Sequence, residues 1–251
     1  DSYASAKTYL RDQYFAGHEH FVADYANGAT QADVTHVTST QAQTLFSNGF
    51  SDAVAGYNEA IAANNINATA SASDNTGKQA GFAEGLQVVK AANQIATGQA
   101  LDTNNNDAIY QKAVEAAQTA KIDFKSNPDV SDTVTSTDSN FSSAPYVNAF
   151  KLTIDQMRIN YQNGYQQYLS NNVATTNTTD EYKAGVSDAT NGYKDAISGQ
   201  PSVGQTSGYA TGYNQGKQAF AGYTHALNNE SNSNSAGAHQ DNAYAGAKAG
   251  I

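Results

Sequence analysis

Two stretches of the chain match at a constant separation: LFSNGFSDAVAGYNEAIAA at 45–63 and EYKAGVSDATNGYKDAISG at 181–199, 136 positions apart. Gly49 meets Gly185, Asp52 meets Asp188, Gly56-Tyr57 meets Gly192-Tyr193 and Ala60-Ile61 meets Ala196-Ile197. Such a match constrains the fold strongly, because a repeated segment must find the same packing twice. Within it, small residues fall at 49, 53, 56, 60 and 63, and again at 185, 189, 192, 196 and 199. Steps of four and three put them on one side of an α-helix, as a coiled-coil seam written in Gly and Ala instead of Leu. Each interior Gly costs a helix about 1 kcal/mol relative to Ala, so the pattern implies a compensating gain, the close approach of two helix backbones.

Weaker matches flank this one. AGFAEG at 80–85 stands against SGYATG at 207–212 with an offset of 127, and Tyr3, Ala6, Gln13 and Tyr25 stand against Tyr146, Ala149, Gln156 and Tyr168 with an offset of 143. Asp107, Tyr110 and Ala113 pair with Asp241, Tyr244 and Ala247 at 134. Apolar periodicity and clusters of Asn, Thr, Ser and Asp that cap helices predict helices at 3–27, 41–63, 77–98, 107–126, 146–171, 180–199, 205–228 and 241–251. The three prolines, Pro128, Pro145 and Pro201, leave these stretches uninterrupted. The expected fold is therefore all-α, two tandem four-helix units related by internal duplication. The first covers 1–127, a Ser/Thr/Asp-rich linker 128–145, and the second 146–251 with a short last helix.

Composition narrows the function. A net charge of -10 repels phosphate backbones and anionic membrane surfaces, so no nucleic-acid partner is expected. No stretch approaches the roughly 18 apolar residues of a spanning helix, and no membrane insertion by this segment is expected. The chain has no Cys, which removes disulfides, thiol nucleophiles and thiolate zinc sites. His18 and His20 lie two residues apart, about 200° around a helix, a poor arrangement for sharing a metal. Asp102-Thr103-Asn104-Asn105-Asn106-Asp107 starts like a calcium loop but carries Asp107 where that loop needs Gly and Ala113 where it needs Glu, so it reads as a turn and helix cap. Asp52 and Asp188 occupy equivalent helix positions, as do Glu59 and Asp195, and the seven-residue spacing within each helix reads as a solvated face instead of an acid–base pair. Neither a catalytic residue, a metal site nor a cofactor is expected, and the chain reads as a non-enzyme.

The stretches NGFSDAVAGYNEAI, AGVSDATNGYKDAISG and SGYATGYNQGKQAFAGY resemble the Cys-free helical modules of cell-wall-anchored surface adhesins of lactic acid bacteria, including the binding regions of serine-rich-repeat adhesins. The resemblance is one of composition and of GY and GF recurring among small residues. It implies an extracellular module, attached to the wall through regions outside this chain, that binds a host or environmental glycan or glycoprotein. The alternative is a spacer or surface-layer-like stalk with no ligand of its own. At the offsets above, Tyr161, Tyr165 and Tyr213 face His18, Val22 and Leu86 and so look specific to the second unit. With Asn160, Asn163 and Asn214 they form the expected ligand-binding set, rings to stack on a sugar and amides to bond its hydroxyls.

Overall fold

In the computed structural model the described residues are 2–134, 142–170, 179–228 and 238–250. They form α1 (Ser2–Ala26), α2 (Thr40–Ala63), α3 (Thr76–Thr97), α4 (Ala108–Ser126), α5 (Ala144–Leu169), α6 (Asp180–Ile197), α7 (Ser207–Leu227) and α8 (Ala238–Gly250), with no strand among them. Local chemistry sets the boundaries. Ser39, Asn75, Thr179 and Thr206 each accept a backbone N–H at the start of a helix. Gly98, at φ 72°, ends α3 in the left-handed conformation that a side chain would resist. The expected linker 128–145 lies partly outside the described residues.

The chain divides into two compact units, Asp1–Asp123 with Ser131–Gln156, and Phe124–Val130 with Met157–Ile251. Residues 146–156, expected with the second unit, pack with the first, so the two halves of α5 serve different units. In unit 1, α2 packs on both α1 and α3. The segment after α3 then doubles back along it: Asp102 meets Lys90, and Asn105 donates to Gln87. As a result α4 sets off in the direction of α3, and Lys121 reaches the Ile95 carbonyl. In unit 2, α7 packs on α6 and on α8.

Glycines bring the helices together. A methyl group placed on Gly17 would overlap the Phe46 carbonyl, and one on Gly49 the Tyr14 carbonyl. Gly56 faces the Lys78 carbonyl, and Gly81 the Ala53 carbonyl. Unit 2 contains the same contacts in the same order: Gly164 on Tyr182, Gly185 on Tyr161, Gly192 on Tyr209 and Gly212 on Ala189. Peptide carbonyls thus seat directly against glycine Cα carbons, a geometry that favours weak Cα–H···O contacts and that any Cβ would abolish. Larger rings close the flanks, with Phe21, Phe46, Phe50 and Tyr57 fully buried in unit 1.

These paired contacts set the correspondence between units at 147 positions for α1 with α5, 136 for α2 with α6 and 131 for α3 with α7. The first and last replace the 143 and 127 expected from residue similarity. The recurrence covers three helices. For α4 and α8 the described contacts do not establish it.

Candidate functional site

A polar cluster of the same design occurs once in each unit. In unit 1, Tyr14 on α1 donates its hydroxyl to Asp52 Oδ2 on α2 at 2.8 Å and accepts the Gly77 N–H at 3.3 Å. Asn75, the cap of α3, donates to the same Asp52 oxygen at 2.9 Å. In unit 2, Tyr161 donates to Asp188 Oδ2 at 2.7 Å, accepts the Gly208 N–H at 3.2 Å, and the cap Thr206 donates to Asp188 at 2.8 Å. One phenol therefore ties three helices of its unit at the first turn of the third.

Burial, then the hydrogen bond to Asp52 and its charge, push the Tyr14 phenol up to about 12, against the lowering effect of the Gly77 N–H. Tyr161 is raised in the same way, burial again the largest cause. Both phenols stay protonated and donate to the aspartate. The arrangement suits a permanent fastening; a general base would need the proton to leave.

The expected ligand-binding residues do not form one exposed set. Tyr161 is 1% exposed and belongs to the fastening, with Tyr14 as its counterpart instead of His18. Tyr165 is half-buried, edge-on to Tyr161, as His18 is edge-on to Tyr14. Tyr213 is half-buried, stacks on Tyr209 and donates to the Gln200 carbonyl, and its counterpart at 131 is Phe82. Asn163 and Asn214 are exposed and Asn160 half-buried, Asn214 on a different helix from the others. Tyr161 and Tyr213 thus have ring counterparts in unit 1, Tyr14 and Phe82, whereas Tyr165 is matched by His18, and Tyr161 offers no surface to a ligand.

Other expectations resolve locally. Asp107 caps α4 by accepting the Tyr110 N–H at 2.7 Å, and Asp102 pairs with Lys90 at 2.9 Å, so 102–107 is a turn and cap. His18 lies against Tyr14 and Phe15, while His20 stacks on His36, so the two imidazoles have separate surroundings. Among the described residues there is no group of three His, Cys, Asp or Glu side chains placed to hold a metal ion.

Two features had no sequence signal. Glu84 on α3 is held beside Asp107. Burial first, then the Asp107 charge and hydrogen bond, push its carboxyl up to about 8. Its Oε2 has no hydrogen-bond partner, and neither does Oε1 of Gln215, its counterpart at 131 in unit 2. The second is a shallow groove in unit 1, two adjoining depressions of about 420 and 450 Å³ that share Thr30 and Val54, with Tyr25, Gln31, Ser51 and Asn148 among the other walls. Comparison with family models, curated proteins and solved structures found no match.

Proposed function

We propose that the chain is a structural repeat module of an extracellular, wall-attached surface protein, a spacer built from duplicated helical units. The observation that carries this reading is the use of tyrosine. In each unit one tyrosine, a residue type well suited to recognition, is committed to the same internal fastening, Tyr14 on Asp52 and Tyr161 on Asp188. Backbone-to-backbone glycine seams in both units support the same reading, since a projecting stalk needs stiffness more than a binding cleft. The polar, weakly charged composition and the resemblance to bacterial surface modules support the location.

Adhesion to a glycan is the second reading, and the groove beside Thr30 favours it, because Tyr25, Gln31 and Asn148 there combine a ring with amides. A glycan and mucin array probed with the intact chain separates the two. The spacer reading expects no saturable binding to any glycan. Saturable binding that Asn148→Ala and Gln31→Ala weaken would replace it with adhesion at the groove.

A further inference from the structure

One helix face is covered in unit 1 and bare in unit 2. On α3, Val89, Ala92 and Ala96 are 3%, 3% and 1% exposed. The first half of α5 lies against this part of unit 1: Leu152 and Gln156 share a cleft with Val89 and Ala92, and Asn148 donates to the Tyr57 hydroxyl at 3.2 Å. At the α3–α7 correspondence of 131 the same positions are Phe220, Tyr223 and Leu227, which are 45%, 49% and 53% exposed. Steps of three and four make them one stripe along α7. Side chains larger than their covered counterparts stand there uncovered.

The matching helix is also bare. At the α1–α5 correspondence of 147, the covering segment 149–156 corresponds to residues 2–9 of α1. Every residue from 2 to 9 is exposed, Tyr3 at 81% and Tyr9 at 44%. Phe150, buried in unit 1, corresponds to Tyr3, and buried Met157 to Leu10, so the helix retains aromatic and aliphatic residues where contact is made. One chain carries both an uncovered face and an uncovered helix of the kind that covers such a face.

We propose that copies of this chain associate head to tail, residues 2–9 of α1 in one copy seating on the Phe220, Tyr223 and Leu227 face of α7 in the next. The occupant follows from the internal precedent, in which Leu152 and Gln156 of the corresponding helix segment already lie beside Val89 and Ala92 in unit 1. The proposal rests on the repeat-module reading. The two patches differ, so the contact is heterologous, and each copy can engage one neighbour at α1 and another at α7. Eight helical residues span about 12 Å, which makes a small interface and a weak one. It gains effect where copies are crowded on a surface or held in tandem.

The absence of cysteine supplies a direct test. In the intact chain, Tyr9→Cys with Tyr223→Cys places one thiol on each patch. Under mild oxidation the double variant should form a ladder of disulfide-linked copies about 10-fold faster than Asn163→Cys with Tyr223→Cys, because docking raises the local thiol concentration. Adding Phe220→Ser and Leu227→Ser should slow the ladder to the control rate, with the helical circular-dichroism signal unchanged because those residues are exposed. Cross-linking at the control rate, or products dominated by 223-to-223 links, would overturn the head-to-tail contact. Failure here leaves the glycan array to judge the spacer reading separately, since that array does not depend on association.

Discussion

Both units place a tyrosine, an aspartate and a glycine N–H in the same cluster, then diverge around it. Where unit 1 caps the third helix with Asn75, unit 2 uses Thr206, and both donate to the aspartate. Lys78 of unit 1 bonds Glu59 and Asp74, whereas its counterpart Tyr209 donates its hydroxyl to Asp195, the counterpart of Glu59. Glu84 is matched by Gln215, and His18 by Tyr165. The difference separates two kinds of constraint. Glycines under carbonyls and the Tyr–Asp bond are set by how close the helices lie and hold in both units. Charge, and the length of the side chain reaching across a seam, are free to change once that spacing exists.

The seam should give the largest effects. At Gly56 and Gly192 even a methyl would overlap the carbonyl of Lys78 or Tyr209. Gly56→Ala and Gly192→Ala are therefore expected to destabilise by about 1–3 kcal/mol, and the Leu variants by more. An exposed helical glycine would show the opposite sign through helix propensity. Thermal unfolding of each variant checks this, and a melting temperature that rises at either position would break the equivalence of the two seams.

Next come Asp52→Asn and Asp188→Asn. Each replaces the charged acceptor of a phenol, half-buried in unit 1 and buried in unit 2, and of a cap side chain while keeping the shape, and hydrogen bonds to charged groups contribute about 1.5–3 kcal/mol. Similar losses in the two units, read by chemical denaturation with Tyr14→Phe and Tyr161→Phe alongside, are expected. Coupling within each pair and none across pairs is the double-mutant result that fits two independent fastenings.

The helices and the glycine seam were legible because periodicity and capping residues are local properties, and every predicted helix has an observed counterpart. The correspondence between units was legible for α2 with α6 only. For the other two pairs the expected offsets fall short by four, since 147 minus 143 and 131 minus 127 both equal one helical turn. Glycines spaced four apart, as at Gly204, Gly208, Gly212 and Gly216, look nearly the same after sliding by a turn, so similarity cannot choose the register. That slip made Tyr161 and Tyr213 look specific to unit 2. The reach of Glu84 to Asp107 depends on the backward run of residues 98–107, which no periodicity encodes.

A smaller effect distinguishes the units by pH. Glu84 has its folded value raised from 4.5 to about 8, so folding favours its protonated form. Its contribution is fully present below about 4.5 and is lost as pH rises through about 8. Unit 1 should therefore lose stability between those values, and Glu84→Gln, which installs the residue found at the equivalent Gln215, should flatten that slope. A fall of about 5 °C in melting temperature across the window for the parent chain, absent in the variant, is the expected outcome. Equal slopes would mean that the carboxyl is ionised in the fold.

The smallest effect tests the exchange of Lys78 for Tyr209. Lys78 holds Glu59 and Asp74 from a partly exposed position, its side chain 30% accessible and Glu59 45%. Water screens such a pair and two flexible side chains must be ordered to make it, so Lys78→Ala should cost little, and less in high salt. Tyr209 does the corresponding job with area: its ring packs on Tyr213 and its hydroxyl reaches Asp195 at 2.6 Å. The contact with Tyr213 is apolar and insensitive to salt, so Tyr209→Ala should cost more than Lys78→Ala and keep its cost at about 1 M salt. Denaturant titrations of both variants at low and high ionic strength make the comparison. If Lys78→Ala is the more damaging in high salt, the ion pair contributes packing as well as charge, and the two units are more alike at this position than their residues suggest.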